Sequence, residues 1–377
     1  MIKRQHYYIS IITLLVICFF IGCNKEMALN PDTESPLKTT VNAELENLYN
    51  QLQIPDFGNI KLLRGGILQF QSKEHYEQVY EDLNELTEAW TTLFLETYDT
   101  GDEEELDDII ETLNFDDRTP LIKFAQKYKT VQATVLEGNA IQEEAWMERG
   151  GNGAPPMDEI TACEIEQTLL SNYYEVCVGD TICQLRIEGY QIHIPTSSLR
   201  LIGTIRAASI EELTGYRGPV VGDGGIPTGP PYNSIVYPPK STTCHKSKHE
   251  KGDKVEHGDE HYFTWSYHFR YLEFWGTVKT TATMKNYKYK SNKDKWVKDY
   301  GSSCKVGFCT VLHDECNACN FYWNFSLYQS LNLKLHSRSI SLSGKGLVAS
   351  PSCKRDNTSS SYIECTHRGT IYKCYVQ

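Results

Sequence analysis

Beyond its opening segment the chain has no apolar run long enough to span a membrane. It has no cysteine between Cys23 and Cys163, so that stretch carries neither disulfides nor thiolate metal sites of its own. A GxSxG elbow, a P-loop and an HExxH helix are all missing. Gly222-Asp223-Gly224-Gly225 is followed by neither Lys-Ser/Thr nor a helix, which excludes a phosphate loop. No paired-carboxylate signature stands out, although glycosidase acids come from distant strands and need no local motif. No catalytic residue, metal ligand or cofactor is therefore assigned. The basic residues come with no helical reading head, and no nucleic-acid partner is expected.

What is present starts at Met1. Lys3 and Arg4 precede an apolar run from Ile9 to Ile21, broken only by Ser10 and Thr13, which ends at Gly22-Cys23. That order of charge, apolar run and small residue is a secretory signal peptide over residues 1–22. Phe20-Ile21-Gly22-Cys23 resembles a bacterial lipobox, with Phe in place of the commoner Leu. The resemblance implies a mature chain that begins at a lipidated Cys23 and is held to a membrane by it. Two or more acyl chains give stable anchoring where one does not. Residues 23–40 are polar, hold two prolines and read as a flexible tether.

Charge divides the rest. Residues 40–160 hold 26 acidic against 8 basic side chains, and residues 240–377 hold 21 basic against 12 acidic. Two units of opposite charge can dock on each other, but screening beyond ~10 Å at 0.1 M salt requires direct contact. Cysteine follows the same division. Eleven of the 13 lie at or beyond Cys163, and in an exported chain they read first as disulfides. An odd number leaves at least one unpaired.

The fold class expected is α+β: a helix-rich N-terminal region, then an antiparallel β-sandwich or barrel-like domain with disulfides. In residues 41–160, Val41, Leu45, Leu48 and Leu52 mark one helical face. Ser72 caps a helix running to about Thr97, with Tyr76, Val79, Tyr80, Leu83, Leu86, Trp90 and Phe94 on its buried stripe. The acidic run from Asp102 to Asp108 reads as a solvated helix start. Thr119-Pro120 opens a fourth helix and Thr130 to Arg149 makes a fifth. Gly65 to Leu86, GGILQFQSKEHYEQVYEDLNEL, resembles the opening of uncharacterised lipoproteins of gut Bacteroidetes. That likeness implies an outer-membrane, surface-exposed lipoprotein, and it carries no activity.

Residues 161–214 are mixed. Tyr190 to Ile194 alternates as a strand, with Leu199 to Ile205 as its expected partner, and Cys163, Cys177 and Cys183 are placed to staple a small unit. Asp180-Thr181-Ile182 resembles the O-glycosylation triplet of exported Bacteroidetes proteins. Residues 215–239 are about half Gly or Pro and read as a linker or long loop. Residues 240–377 turn to β, with six or seven segments rich in Tyr, Trp, Thr, Val and Ile.

Three constellations bear on chemistry. Cys304, Cys309, Cys316 and Cys319 with His313 match no zinc or iron–sulfur spacing closely, and disulfides are the favoured reading. His245, His249, His257, His261 and His268 sit among lysines and carboxylates in a polar stretch that reads as a loop. The third is a basic ribbon, in which Lys288, Lys290 and five neighbouring lysines interleave with Tyr287, Tyr289 and Trp296. In a strand the tyrosines take one face, for packing, and Lys288 and Lys290 the other, for solvent. These five residues are the candidate ligand contacts, for a glycan or another anionic surface ligand. The expected function is a surface-anchored binding or adhesion module; a hydrolase acting on a surface polysaccharide is the alternative, and a metal-dependent module is a weaker third.

Overall fold

The structure is a computed structural model. It describes residues 43–150, 160–161, 163–186, 190–215, 226–237 and 293–300, apart from the side chain of Glu103. Between 247 and 375 it also gives the backbone of the strands named below, with side chains at 285 and 287–290. The signal segment, Cys23 and the tether lie outside the described residues. So do the side chains of the eight cysteines from Cys244 onward and of the five histidines.

The helices form where apolar spacing and capping residues place them. Helix α1 is Ala43–Tyr49 and buries Leu45, Leu48 and Tyr49. Helix α2, Lys73–Tyr98, begins where the Ser72 hydroxyl accepts the His75 N–H. Helix α3, Glu103–Leu113, is capped by Asp102, which accepts from the N–H groups of Glu104 and Glu105, and it stops at Asn114 in the left-handed conformation. Helices α4, Thr119–Lys127, and α5, Gln132–Glu148, follow, with Pro120 in the first turn of α4. A short α6 spans Glu164–Leu169.

A seven-stranded mixed sheet runs in the order β1-β2-β3-β4-β5-β7-β6. Its strands are β1 Lys61–Leu63, β2 Ile67–Phe70, β3 Glu175–Val178, β4 Thr181–Leu185, β5 Gln191–Pro195, β6 Ile226–Pro227 and β7 Ile235–Tyr237. Only β2 and β3 pair in parallel. One face, through Leu68, Phe70, Val176 and Leu185, packs under α2, α4 and α6. The other, through Ile67, Ile182, Ile192 and Ile194, packs on Ile202, Ile205 and Leu213. These last residues belong to α7, Ile202–Ala207, and α8, Ile210–Thr214. The sheet is thus the middle of three layers.

Three expectations are corrected here. Thr196–Leu201 is a 3₁₀ turn leading into α7, so the partners of β5 are β4 and β7 and not the 199–205 stretch. Leu199, Ile202 and Ile205 recur every third residue, which is a helical spacing. The Gly/Pro-rich stretch contributes β6 and β7 to the sheet edge, where short strands tolerate proline. Cys163, Cys177 and Cys183 are buried thiols outside any disulfide. Cys177 pairs across the sheet with Ile182, and Cys183 with Val176. The two thiols therefore face opposite cores, and no bridge between them is possible. Burial pushes both thiols up to about 12, the mark of inert structural cysteines.

Beyond residue 247 the strands form two antiparallel sheets, with no closed barrel among the described strands. The first holds β8 Ser247–Lys248, β9 Val255–His257, β10 Glu260–Leu272, β11 Thr277–Lys290, β12 Lys295–Lys298 and β15 Ser337–Ser343. The second holds β13 Ser303–Asp314, β14 Tyr322–Lys334, β16 Cys353–Arg355, β17 Tyr362–His367 and β18 Thr370–Tyr375. The sheet class is as expected. β11 is the hub of the first sheet, with β10 along one edge and β15 then β12 along the other.

Candidate functional site

The basic ribbon is the β11–β12 hairpin. Its register sets Tyr287 opposite Lys298, Lys288 opposite Val297, Tyr289 opposite Trp296 and Lys290 opposite Lys295. Residues directly opposite share a face. One face therefore carries Lys285, Tyr287, Tyr289, Trp296 and Lys298, and the other carries Lys288, Lys290 and Lys295. The expected alternation holds.

The first face is clamped on α5. Trp146 meets the Tyr287 ring edge-on at 4.9 Å, and Trp296 joins them in one buried cluster. Beside it lies a network of charges. Lys285 Nζ donates to Glu143 at 3.1 Å and to Glu164 at 2.9 Å. Lys298 Nζ reaches Asp117 at 3.0 Å and Glu143 at 3.5 Å. The Tyr287 hydroxyl donates to Glu143. Arg118 lies 2.8 Å from Asp116 and 3.3 Å from Glu143. Burial alone would lower Lys285, but the charges of Glu143 and Glu164 outweigh it and hold its ammonium above the ordinary lysine value. In Lys298, burial and the nearby Arg118 lower the value and the carboxylates of Asp117, Glu143 and Asp116 overcome both. Burial, then the charge of Glu143, drives the Tyr287 phenol well up.

The second face lies under α3. Against the expectation of a solvated row, Lys288 and Lys290 are only 3% and 9% exposed. Their ammonium groups lie 2.9 and 2.5 Å from the same Asp107 oxygen. Asp107 is buried in turn, so the acidic run is not wholly a solvated helix start. Further out, Lys293 contacts Asp108 at 2.8 Å and Glu111 at 2.9 Å, and Lys295 contacts Glu111 at 3.1 Å. These outer pairs are open to water. Hydrogen bonds from the lysines hold Asp108 and Glu111 below the usual carboxylate range.

All five candidate ligand contacts are thus brought together, but four of them, Tyr287, Lys288, Lys290 and Trp296, are buried against the chain's own helices. Tyr289 is half-buried and donates to Asp294. The acidic region and the basic hairpin meet at direct contact, a docking that the charge division permits.

A second polar cluster escaped sequence reasoning. Glu175, fully buried on β3, accepts from Arg206 Nε at 2.9 Å and Nη2 at 2.5 Å, from Ser171 at 2.7 Å and from Gln184 at 3.2 Å. Arg206 also donates to the Gly65 carbonyl and lies 4.1 Å over the ring of Tyr173. Glu175 and its partners come from β3, β4, α7 and the turn before β3, and no local motif announces the cluster. Every polar atom of the carboxylate is engaged, which fits a structural pin joining β3 to α7.

Among the described residues no group of His, Cys, Asp and Glu is arranged to hold a metal ion, and no helix is long and apolar enough to cross a membrane. No family model and no curated protein matches the chain. A solved structure of a DUF4848 family protein from Bacteroides thetaiotaomicron aligns over 84% of this chain and 100% of its own, at 10% identity and a TM-score of 0.16. A likeness at that level carries no argument about fold or function.

Proposed function

We propose that the chain is a lipid-anchored envelope protein that works by binding, with a carboxylated or otherwise anionic glycan as its ligand and the β11–β12 lysines as the contacts. The lipobox-like Phe20 to Cys23 supports the anchor. The observation that carries the ligand class is that Lys288, Lys290, Lys293 and Lys295 already grip carboxylates presented along one helix. In the same reading the two C-terminal sheets pack as a sandwich stiffened by disulfides. With Cys163, Cys177 and Cys183 outside any disulfide, the eight cysteines from Cys244 onward are an even set and can all pair.

Three measurements test this. Labelled palmitate should enter the wild-type chain in a bacterial host and not the Cys23→Ser variant. Alkylation of the unfolded, unreduced chain should label Cys163, Cys177 and Cys183 and no later cysteine. A glycan array should retain the full chain on uronate-bearing glycans; release of new reducing ends would instead favour the hydrolase.

A further inference from the structure

The two faces of the hairpin are held very differently. The α5 face is closed by two tryptophans, a tyrosine and a buried network of charges. The α3 face is closed by an eleven-residue helix. Of the apolar side chains of α3, Leu106 is fully buried and Ile109, Ile110 and Leu113 are partly buried, all against one cluster with Trp90, Phe94 and Phe115, and that docking is what holds the helix in place. Helices shorter than about 12–15 residues are marginal without docking. The chain enters α3 through Gly101, at φ +89 with open space around it, and leaves through Asn114 at φ 54. Both ends thus carry backbone bends outside the helix. Asp107 and Glu111 lie one turn apart, about 6 Å along the axis, so α3 offers the lysines a linear row of carboxylates.

We infer that α3 is a built-in occupant of the lysine ribbon, an autoinhibitory cover whose carboxylates stand where those of an acidic polysaccharide bind. The inference rests on the anionic-ligand reading above and adds its regulation. Ligand and helix compete for Lys288, Lys290, Lys293 and Lys295. When α3 lifts, the hairpin keeps its place, because Lys285, Tyr287, Trp296 and Lys298 hold it to α5 from behind. A polymer with a carboxylate on successive units is favoured over a single small anion, since it replaces Asp107, Asp108 and Glu111 together and gains from their linkage.

The test uses the full chain with polygalacturonate as the probe and neutral dextran as control. On adding the polymer, backbone amides of residues 103–113 should exchange faster with solvent, while those of 132–148 stay protected. The variant Asp107→Asn/Asp108→Asn/Glu111→Gln should bind the polymer about tenfold or more tighter than wild type, a gain of ~1.4 kcal/mol. Adding Lys293→Gln/Lys295→Gln should remove that gain; these lysines are partly exposed, so the change spares the core. Equal binding by wild type and the acidic-helix variant, with unchanged exchange over 103–113, overturns the cover but leaves the ligand class standing. No binding by either, with the variant folded, overturns the ligand class as well. Capture of the variant by phosphatidylglycerol vesicles but not by polygalacturonate overturns the saccharide in favour of a lipid surface. Should the variant fail to fold, exchange in the wild-type chain decides alone.

Discussion

One hairpin meets two acidic helices, and the two contacts differ in kind. On the α5 side, charge and aromatic packing are buried together: Glu143 serves Lys285 and Lys298 while Trp146 packs on Tyr287. On the α3 side, only the contacts of Asp107 are buried, and the rest are pairs at the surface. Asp107 is as deeply desolvated with its two lysines as Glu143 is with its own, so the α5 joint and the α3 cover differ in the aromatic packing of the first and in the open outer pairs of the second. A buried pair is costly to break, whereas an exposed one contributes at most about 1 kcal/mol.

The sharpest way to break the comparison is Glu143→Ala. It leaves Lys285, Lys298 and Arg118 facing each other without their shared carboxylate, and urea unfolding should show a loss of about 3–5 kcal/mol. Asp107→Ala also leaves two buried lysines, Lys288 and Lys290, without their carboxylate and should cost about 3 kcal/mol, somewhat less than Glu143→Ala because those lysines regain water as α3 loosens, with the loss of amide protection confined to α3. If Asp107→Ala costs more than Glu143→Ala, the assignment of joint and cover is reversed.

Acid and alkali separate the faces further. Asp108 and Glu111 have depressed folded values, so their contribution is present above their unfolded values near 4. It is lost as pH falls through the depressed ones. Lys285 and Lys298 have raised folded values, so their contribution is complete below an unfolded value of about 10.4. It is lost as pH rises through the raised ones. Acid below about pH 4 should therefore loosen α3 first, and strong alkali the α5 joint together with the outer α3 pairs of Lys293, whose value is also raised; fluorescence of Trp146 and Trp296 alongside amide exchange over 103–113 reports each. The smallest effect is that of Lys295→Gln, which should change stability by no more than ~0.5 kcal/mol.

Much of this was readable in the sequence because it is local. The Ser72 cap, the apolar stripe from Tyr76 to Phe94 and the Thr119-Pro120 start all fall where expected. The alternation of Tyr287 with Lys288 fixed the faces, and the division of charge allowed a contact without requiring one. What lay hidden was which residues desolvate. Nothing near Asp107 distinguishes it from Asp108, yet one is buried and the other open to water, because their partners, Lys288 in β11 and Lys293 in the turn after it, lie about 180 residues away. Glu175 and Arg206 are hidden for the same reason. The mistaken strand at Leu199 to Ile205 has a different cause: a short apolar run fits strand and helix alike.

Native-state amide exchange of the full chain at low and high salt separates a hairpin clamped on one side and covered on the other from one held alike on both. Residues 103–113 should open at a lower free energy than 132–148, and salt should lower it further for the first segment only. A single opening free energy for both helices, indifferent to salt, would contradict the clamp and cover.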